Sequence, residues 1–413
     1  MLSNRVKNYA IFAIACALVI CSLPGQSMGF CALTEPILRT TGLSRTTFSV
    51  IYMAATILGG CGILVSGRLI DYFGIRKSLL LALPLWALTL FCFGSCFALY
   101  QLVHYAVSWE IFSAVFFLIC LSMMRFLGQN VLPLLGRMQI VRTFSGNEGL
   151  AIAIYGFFVS SSRGFVPQTI RSLAKYDDWG HALRVLSLSG LALFFLILFF
   201  LHNRSEVEPV QLPLKKKVQC KQLPFVSKGQ LLKTSVFWCI ASALCMNEFI
   251  GTGTAIHIVD IFRERGISEN IALGSYVPLS IATVVAGFFF GKLMDLGKIK
   301  ASILLMFLAQ FFGLLGLDFS QNYGCVMLYA LSMGVTWGAH RVLLVAAWSK
   351  IFGQEHIGEI YGIVYFLSTV AGAISVPLMS LFRHQFGSYF SLMHILQLIV
   401  ISCTILCMKK FPA

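Results

Sequence analysis

The chain has 413 residues, of which 58% are hydrophobic and only 11% are Asp, Glu, Lys or Arg. Because a soluble globule of this size needs far more polar surface, the composition excludes a soluble protein and predicts an integral membrane protein. The formal net charge of +15 would suit nucleic acid, but an excess of Lys and Arg is typical of the cytoplasmic loops of membrane proteins. We therefore expect a lipid bilayer, and no nucleic acid, as the macromolecular partner.

Apolar runs predict twelve membrane-spanning helices, since a helix needs about 20 residues to cross a bilayer. Numbered as spans 1 to 12, they occupy residues 9–33, 47–66, 78–97, 111–136, 149–170, 183–201, 236–258, 271–291, 301–318, 324–349, 359–381 and 389–407. The predicted fold class is therefore all-α, with an N-terminal six-helix half in residues 1–201 and a C-terminal half in residues 236–413. Residues 202–235, which include three consecutive lysines, are expected to form a cytoplasmic linker.

The distribution of basic residues predicts the orientation. Most of the Lys and Arg outside the spans fall on one side of the membrane, which is the side of both termini. Both termini are therefore expected to be cytoplasmic, in a multi-pass protein of the plasma (inner) membrane. A secretory signal peptide is the alternative for the N-terminal run, but the repeat described below needs that run as span 1.

Span 1 contains the stretch Pro24-Gly25-Gln26-Ser27-Met28-Gly29. A proline and two glycines four residues apart permit a kink and the close approach of another backbone. Two interpretations stay open. The stretch serves helix packing alone, or it is an unwound patch at which Gln26 and Ser27 offer hydrogen bonds to a solute.

The link between spans 2 and 3 is a charged stretch bracketed by glycines, from Gly67 to Lys77. Both neighbouring spans must be helices in lipid, so the stretch is expected to be a hairpin turn at a membrane face. Gly74 is expected to supply a left-handed residue there. Asp71 is expected to accept backbone N–H groups at a helix start.

A second copy of this stretch predicts a duplication. Gly291 to Lys298 repeats the pattern, and Gly67 is as far from Gly291 as Asp71 is from Asp295. The triplet Gly42-Leu43-Ser44 falls on Gly266-Ile267-Ser268 in the same register. Paired halves of this kind are a recurring plan of secondary transporters.

The pattern resembles the major facilitator superfamily, whose loop between its second and third helices reads Gly-x-Leu-x-Asp-Arg/Lys-x-Gly-Arg-Arg/Lys. The matching residues are Gly67, Leu69, Asp71, Gly74, Arg76 and Lys77, whereas Tyr72 departs from the usual base. The resemblance implies a conformational switch that latches the two halves on the cytoplasmic side. Its residues would be Gly67, Asp71, Gly74, Arg76 and Asp295.

Within the superfamily, the span 1 stretch and Arg125-Phe126-Leu127-Gly128-Gln129 of span 4 are similar to the oxalate/formate-exchanger and monocarboxylate-transporter branch. That branch places a substrate-binding arginine on its eighth helix, and its oxalate type places a lysine on the eleventh. Spans 8 and 11 contain neither. The substrate of that branch therefore cannot be carried over.

Charged residues inside the spans mark the candidate binding site. Arg125 lies deep in span 4 and Arg341 deep in span 10, where a cation costs roughly 3 kcal/mol or more unless it faces a cavity or a partner. We expect both to bind an anionic solute, with Gln26, Gln129 and Asn247 supplying hydrogen bonds. The alternative is that each arginine is paired permanently within the protein.

Glu248 falls in the middle of span 7, where an ionised carboxylate is expensive. It is the leading candidate for proton coupling, together with His340 of span 10. The alternative is a static ion pair with one of the arginines. Arg163 of span 5 is left open between a buried, polar-lined position and snorkelling to the interface, and Asp260 is expected in an outer loop.

These features predict a secondary active transporter, a symporter or antiporter, that moves a small anionic organic solute by alternating access and acts as a monomer. No ATP-binding loop, His-Glu-x-x-His or Gly-x-Ser-x-Gly spacing is present, so an enzyme is not expected. The thirteen cysteines show no metal spacing, and no cofactor or metal is expected. The alternatives are an uncoupled facilitator, a carrier of a neutral or zwitterionic solute such as an amino acid, and a transport-dead receptor.

Overall fold

The computed structural model describes residues 4–104, 108–144, 148–174, 178–201, 234–352 and 357–410. Regular secondary structure in these ranges is entirely helical. The chain divides into two compact units, unit 1 from Met1 to Pro213 and unit 2 from Leu214 to Ala413. Of the predicted linker, residues 202–233 lie outside the described ranges.

Unit 1 contains spans 1 to 6, and two of its spans contain an irregular segment. Span 1 comprises the helices Asn4–Ser22 and Ser27–Thr41, joined by a 3-10 turn at Leu23–Gly25. Span 4 comprises Trp109–Met124, a π-helical segment at Arg125–Val131, and Leu132–Thr143. The remaining helices of the unit are Arg45–Gly94, Cys96–Val103, Glu148–Leu173 and Trp179–Leu201.

The structure narrows the predicted turn at residues 67–77, because Arg45–Gly94 comprises two helices that meet at a kink. The backbone stays helical through Gly67 and Asp71, and only Gly74 leaves the helix, with φ 78° and ψ 159°. One glycine is enough to redirect the chain because it has no Cβ to oppose a positive φ. The positive φ predicted for Gly74 is confirmed, but its ψ is extended rather than left-handed helical, and the Asp71 side chain is outside the described part of the structure.

Unit 2 contains spans 7 to 12, and spans 7 and 10 are continuous helices. The helices are Ser235–Glu264, Glu269–Gly274, Tyr276–Asp295, Ile299–Asp318, Tyr323–Phe352, Ile357–Phe386 and Phe390–Lys410. Among the described residues of both units, nine helices are long and apolar enough to cross a membrane. The predicted spans 2, 5 and 10 are helical as well. The chain is thus an all-α membrane protein of twelve spans in two six-helix halves.

The backbone repeats between the units where the sequence repeats. Gly42 ends span 1 with φ 70°, and Gly266 follows span 7 with φ 76°. Two residues later, Ser44 and Ser268 are both extended, with ψ values of 145° and 152°, and each precedes the next helix. The same pair of cap residues thus ends one helix and begins the next in both units.

Candidate functional site

The interruption of span 1 exposes a backbone carbonyl inside unit 1. Pro24 has no N–H, and Gln26 is extended, with φ −96° and ψ 152°, so the regular hydrogen bonds of the helix stop here. The helix resumes at Ser27. The carbonyl oxygen of Gly25 can therefore accept a hydrogen bond from a side chain.

Two glycines let the interrupted span pack directly on span 4. A Cβ atom added to Gly25 would lie 2.3 Å from the carbonyl oxygen of Met124 and 3.0 Å from the Cα of Gly128. A Cβ added to Gly128 would lie 2.8 Å from the carbonyl oxygen of Ser22. The span is therefore both unwound and closely packed there, so packing alone does not describe the stretch.

Arg125, which is only 3% exposed, binds to this interruption. Its Nη1 donates to the carbonyl oxygen of Gly25 at 3.1 Å, its Nη2 to Ser27 Oγ at 3.1 Å and its Nε to Thr56 Oγ1 at 3.1 Å. The guanidinium carbon lies 4.7 Å from the centre of the Tyr52 ring. The hydroxyl of Tyr52 donates to Ser27 Oγ at 3.1 Å.

The acceptors around Arg125 are all neutral. Among the described residues of unit 1, no carboxylate lies within ion-pair distance of its guanidinium. Three of the five N–H bonds of the guanidinium donate to these described oxygens. Oxygen dipoles and an aromatic face thus stabilise the cation, but its net charge is not neutralised within the described part of the unit.

The π-helical segment after Arg125 is fixed to span 2. Asn130 Nδ2 donates to the carbonyl oxygen of Gly59 at 2.9 Å. A Cβ added to Gly59 would lie 2.8 Å from the Cβ of Arg125. Gln129, on the same segment, has an amide oxygen with no hydrogen-bond partner among the described residues. Segments of this kind are frequent at functional sites.

Gln26 connects span 1 to span 5. Its Oε1 accepts from Arg163 Nη2 at 3.2 Å, and its Nε2 donates to Ser22 Oγ at 3.1 Å. This contact directs Arg163 toward span 1. It therefore favours the polar-lined alternative for Arg163 over snorkelling.

In unit 2 the two residues predicted for proton coupling are neighbours. Glu248 Oε1 lies 3.5 Å from His340 Nε2, and the two side chains are 21% and 8% exposed. Asn247 is fully buried, and neither atom of its amide has a hydrogen-bond partner among the described residues. Arg341 follows His340 on span 10 and is partly exposed.

Sequence reasoning missed two residues of the unit 1 site and misplaced one of unit 2. Tyr52 and Thr56 lie four residues apart on span 2, so a polar stripe on one face of that helix was the available signal. Asp260 is not in an outer loop, because it lies inside the helix Ser235–Glu264 and is 8% exposed. The hydroxyl of Tyr389 donates to it at 2.8 Å, which makes burial of a carboxylate possible.

No set of three or more His, Cys, Asp or Glu side chains suited to a metal ion occurs within the described ranges.

Comparisons with known proteins agree with this architecture. The D-xylose-proton symporter has a similar structure, with a TM-score of 0.67 and 17% identity over 98% of both chains. A bacterial homologue of the human lysosomal transporter Spinster has a TM-score of 0.66 and 13% identity over 100% of this chain and 98% of its own. The xylose transporter XylE from E. coli has a TM-score of 0.69 and 14% identity over 98% of this chain and 100% of its own. At these identities the similarity shows the fold alone.

No curated protein sequence matches the chain. A family model does match, over residues 13–376, and it describes the Major Facilitator Superfamily. Because the match covers most of the sequence, the chain belongs to the Major Facilitator Superfamily.

Proposed function

We propose that this protein is a secondary active transporter that moves a small anionic organic solute by alternating access, driven by proton coupling or exchange. Membership of the superfamily and the transporters of similar fold support secondary transport. The environment of Arg125 is the observation that supports an anionic solute. This cation is buried, and its described hydrogen bonds all go to neutral oxygens.

The electrostatics of Arg125 favour an anion as its missing counter-charge. Dipoles of Gly25, Ser27 and Thr56 offset part of the lost hydration, but they leave the net charge in place. A carboxylate or phosphate would neutralise it. Such a group can also accept N–H bonds beyond the three that the described oxygens accept, in the two-point geometry that suits a guanidinium.

The other polar residues have supporting roles in this proposal. Arg341 would add a second positive charge for the solute, and Gln26, Gln129 and Asn247 would donate or accept hydrogen bonds. Two of these residues offer unused amide atoms, namely Gln129 and Asn247.

Glu248 and His340 would take up the coupling proton. Their 3.5 Å separation supports this role, because protonating either group changes the interaction between them. Histidine also changes its protonation near physiological pH.

The conformational switch would consist of Gly67, Asp71, Gly74, Arg76 and Asp295. The positive φ of Gly74 supports a hinge at this place. We expect Asp71→Asn to slow transport while membrane insertion stays normal, as measured by uptake into proteoliposomes and by surface expression. Transport at the native rate in this variant would show that Asp71 has no part in the switch.

The orientation is part of the same proposal. The excess of Lys and Arg on one side supports cytoplasmic termini in a monomeric protein of the plasma (inner) membrane. A C-terminal reporter that fluoresces only in the cytoplasm should be bright. Activity of alkaline phosphatase fused at the same position would show that the C-terminus is periplasmic and would contradict the proposed orientation.

A thermal-shift screen of the purified protein tests the solute class. The panel contains organic acids, amino acids and phosphorylated metabolites, each with an uncharged analogue such as its amide or ester, and neutral sugars. We expect an organic anion to raise the melting temperature and its uncharged analogue to leave it unchanged, since binding to the native state stabilises it. Stabilisation by neutral sugars alone, or by zwitterionic amino acids alone, would contradict an anionic solute and assign the solute to that class.

Uptake of the stabilising solute into proteoliposomes then tests the coupling. A pH gradient should drive accumulation in the native protein but not in Glu248→Gln. Uptake that only equilibrates the solute, at any pH gradient and without counter-solute, would identify an uncoupled facilitator.

A further inference from the structure

Unit 2 buries a second group of titratable side chains, away from Glu248 and His340 in sequence. His257 is 1% exposed, Tyr389 is 1% exposed and Asp260 is 8% exposed. His257 and Asp260 lie near the end of span 7, and Tyr389 starts span 12, immediately before its helix Phe390–Lys410. The rings of His257 and Tyr389 have their centres 5.4 Å apart.

The contacts of His257 determine where its hydrogens lie. Its Nε2 is 3.0 Å from the carbonyl oxygen of Val376 in span 11, and because a carbonyl only accepts, this nitrogen carries a hydrogen. Its Nδ1 is 3.4 Å from the hydroxyl oxygen of Tyr389. That hydroxyl donates its own hydrogen to Asp260 Oδ2 at 2.8 Å.

We propose that His257 is a proton-binding site, whose Nδ1 takes up a proton from solvent, keeps it and donates a hydrogen bond to the hydroxyl oxygen of Tyr389. When Tyr389 donates to Asp260, its oxygen can only accept from the ring, so Nδ1 must then carry a hydrogen and the ring is doubly protonated. When Nδ1 loses that proton, the hydroxyl of Tyr389 can turn and donate to it. The hydrogen of Tyr389 thus moves between Asp260 and His257 as the proton leaves and returns.

Charged groups from two helices surround this site. Asp260 lies 3.6 Å from Arg263 Nη1 of its own helix and 3.5 Å from Arg383 Nε of span 11. Arg383 Nη1 also lies 3.7 Å from Glu264. Asp260 therefore keeps two cationic neighbours when the hydroxyl of Tyr389 turns away from it, which allows both proton positions.

Other titratable groups reach the same end of span 7 from the remaining helices that pack on it. One is Tyr329 of span 10, whose hydroxyl is 3.5 Å from Thr254 Oγ1. The others are Asp318 of span 9 and His394 of span 12, which lie 2.8 Å apart, and Asp318 is also 3.5 Å from Arg265.

The position of the site links protonation to the packing of unit 2. His257 binds the backbone of span 11 through one nitrogen and the start of span 12 through the other. A proton at Nδ1 therefore adds a charge-assisted hydrogen bond between spans 7 and 12 without changing the bond to span 11. This site is separate from the proposed role of Glu248 and does not depend on which solute is carried.

Nitrogen-15 NMR of the purified protein with labelled histidine tests the proposal without any solute. The chain has eight histidines, and His257→Gln identifies the resonances of His257 by their loss. In the native protein the ring should change between singly and doubly protonated forms over about pH 5–8. In Tyr389→Phe, which removes only the hydroxyl, the midpoint should move by roughly one pH unit or more.

A matched control removes a buried hydroxyl elsewhere. Tyr155 of unit 1 is 3% exposed, and its hydroxyl contacts the carbonyl oxygen of Pro133, so Tyr155→Phe should leave the His257 titration unchanged. If His257→Gln does not fold, substituting the other histidines in turn identifies the resonance by elimination. A ring that stays singly protonated down to about pH 5, or the same midpoint in Tyr389→Phe as in the native protein, would overturn the proposal.

Discussion

In unit 1 the first span is interrupted at Leu23–Gly25 and the fourth carries the π-helical segment Arg125–Val131. In unit 2 the corresponding spans are the continuous helices Ser235–Glu264 and Tyr323–Phe352. The repeat that aligns Gly29 with Gly253 also aligns Pro24 with Glu248. One unit therefore has a helix breaker at the position where the other has an acid.

This difference shows two ways of keeping charge inside a membrane helix bundle. The proline of unit 1 interrupts the helix and exposes the Gly25 carbonyl, which accepts from Arg125. Unit 2 keeps its helix intact and places the carboxylate of Glu248 next to His340. The first arrangement leaves a positive charge that an anion can neutralise, and the second offers groups that can exchange a proton.

The largest effect is expected where the interrupted span meets span 4. Gly25→Ala places a Cβ 2.3 Å from the carbonyl oxygen of Met124, so two backbones must separate, and we expect a loss of about 3 kcal/mol or more in unfolding free energy. The matched control is Gly287→Ala in unit 2, because no described atom lies within 4 Å of a Cβ added there. That variant should be neutral or slightly stabilising. Equal melting temperatures for the two variants in detergent would contradict the close contact in unit 1.

Replacing one threonine in each unit compares a hydrogen bond from a charged donor with a hydrogen bond from a neutral donor. In unit 1, Thr56→Val leaves Arg125 Nε without its acceptor, and we expect a loss of about 2 kcal/mol, since hydrogen bonds to charged groups are the stronger class. In both units the threonine hydroxyl also donates to the carbonyl oxygen four residues earlier, at 2.8 Å for Thr56 and 2.7 Å for Thr254. In unit 2, Thr254→Val otherwise removes a 3.5 Å contact with the neutral Tyr329 hydroxyl, and this contact should contribute about 1 kcal/mol or less. Chemical denaturation of both variants measures the difference. A larger loss for Thr254→Val would contradict the comparison.

The helix caps should respond equally in the two units. Gly42→Ala and Gly266→Ala force alanine to φ values of 70° and 76°, and in the described structure no atom lies within 4 Å of either added Cβ. The cost is therefore conformational alone, about 1 kcal/mol in each case. Thermal unfolding of the two variants should give the same shift. A clear difference between them would show that the repeat does not extend to the energetics of these caps.

The smallest effect is expected at the position where the sequence departs from the superfamily pattern. Tyr72 is 83% exposed, and Leu296, which aligns with it in unit 2, is 60% exposed. Tyr72→Arg and Leu296→Arg should each change stability by less than about 0.5 kcal/mol. A large loss of stability in Tyr72→Arg alone, measured by thermal unfolding, would show that this tyrosine has a contact that the repeat lacks.

The sequence predicted the features that depend on local pattern. The spans follow from hydropathy, the repeat from the register of Gly42 and Gly266, and the positive φ of Gly74 from its place in a link between spans. It also selected Glu248 and His340, which lie 3.5 Å apart in the structure, as candidates for proton coupling, since charge inside lipid is expensive. These inferences need only spacing and composition.

The features that it missed depend on how helices rotate against each other. Nothing in the spacing of Tyr52 and Thr56 says that their face of span 2 meets Arg125, because that contact joins residues 69 positions apart. The extension of the span 2 helix through Asp71 to the kink at Gly74 was missed because the charged stretch resembles a loop in composition. Asp260 was placed in a loop because its stabilising partner, Tyr389, lies 129 positions away.

The central claim is that the charge of Arg125 is available to an anionic solute, and ligand-induced stabilisation of arginine variants tests it most directly. The melting temperature is measured with and without the organic anion found by screening, in the native protein, Arg125→Lys and Gly287→Ala. We expect Arg125→Lys to fold and to lose most of the shift, about tenfold or more in affinity, because lysine lacks the two-point geometry. Gly287→Ala should keep the full shift. An undiminished shift in Arg125→Lys, or equal stabilisation by the anion and its uncharged analogue in the native protein, would contradict the claim.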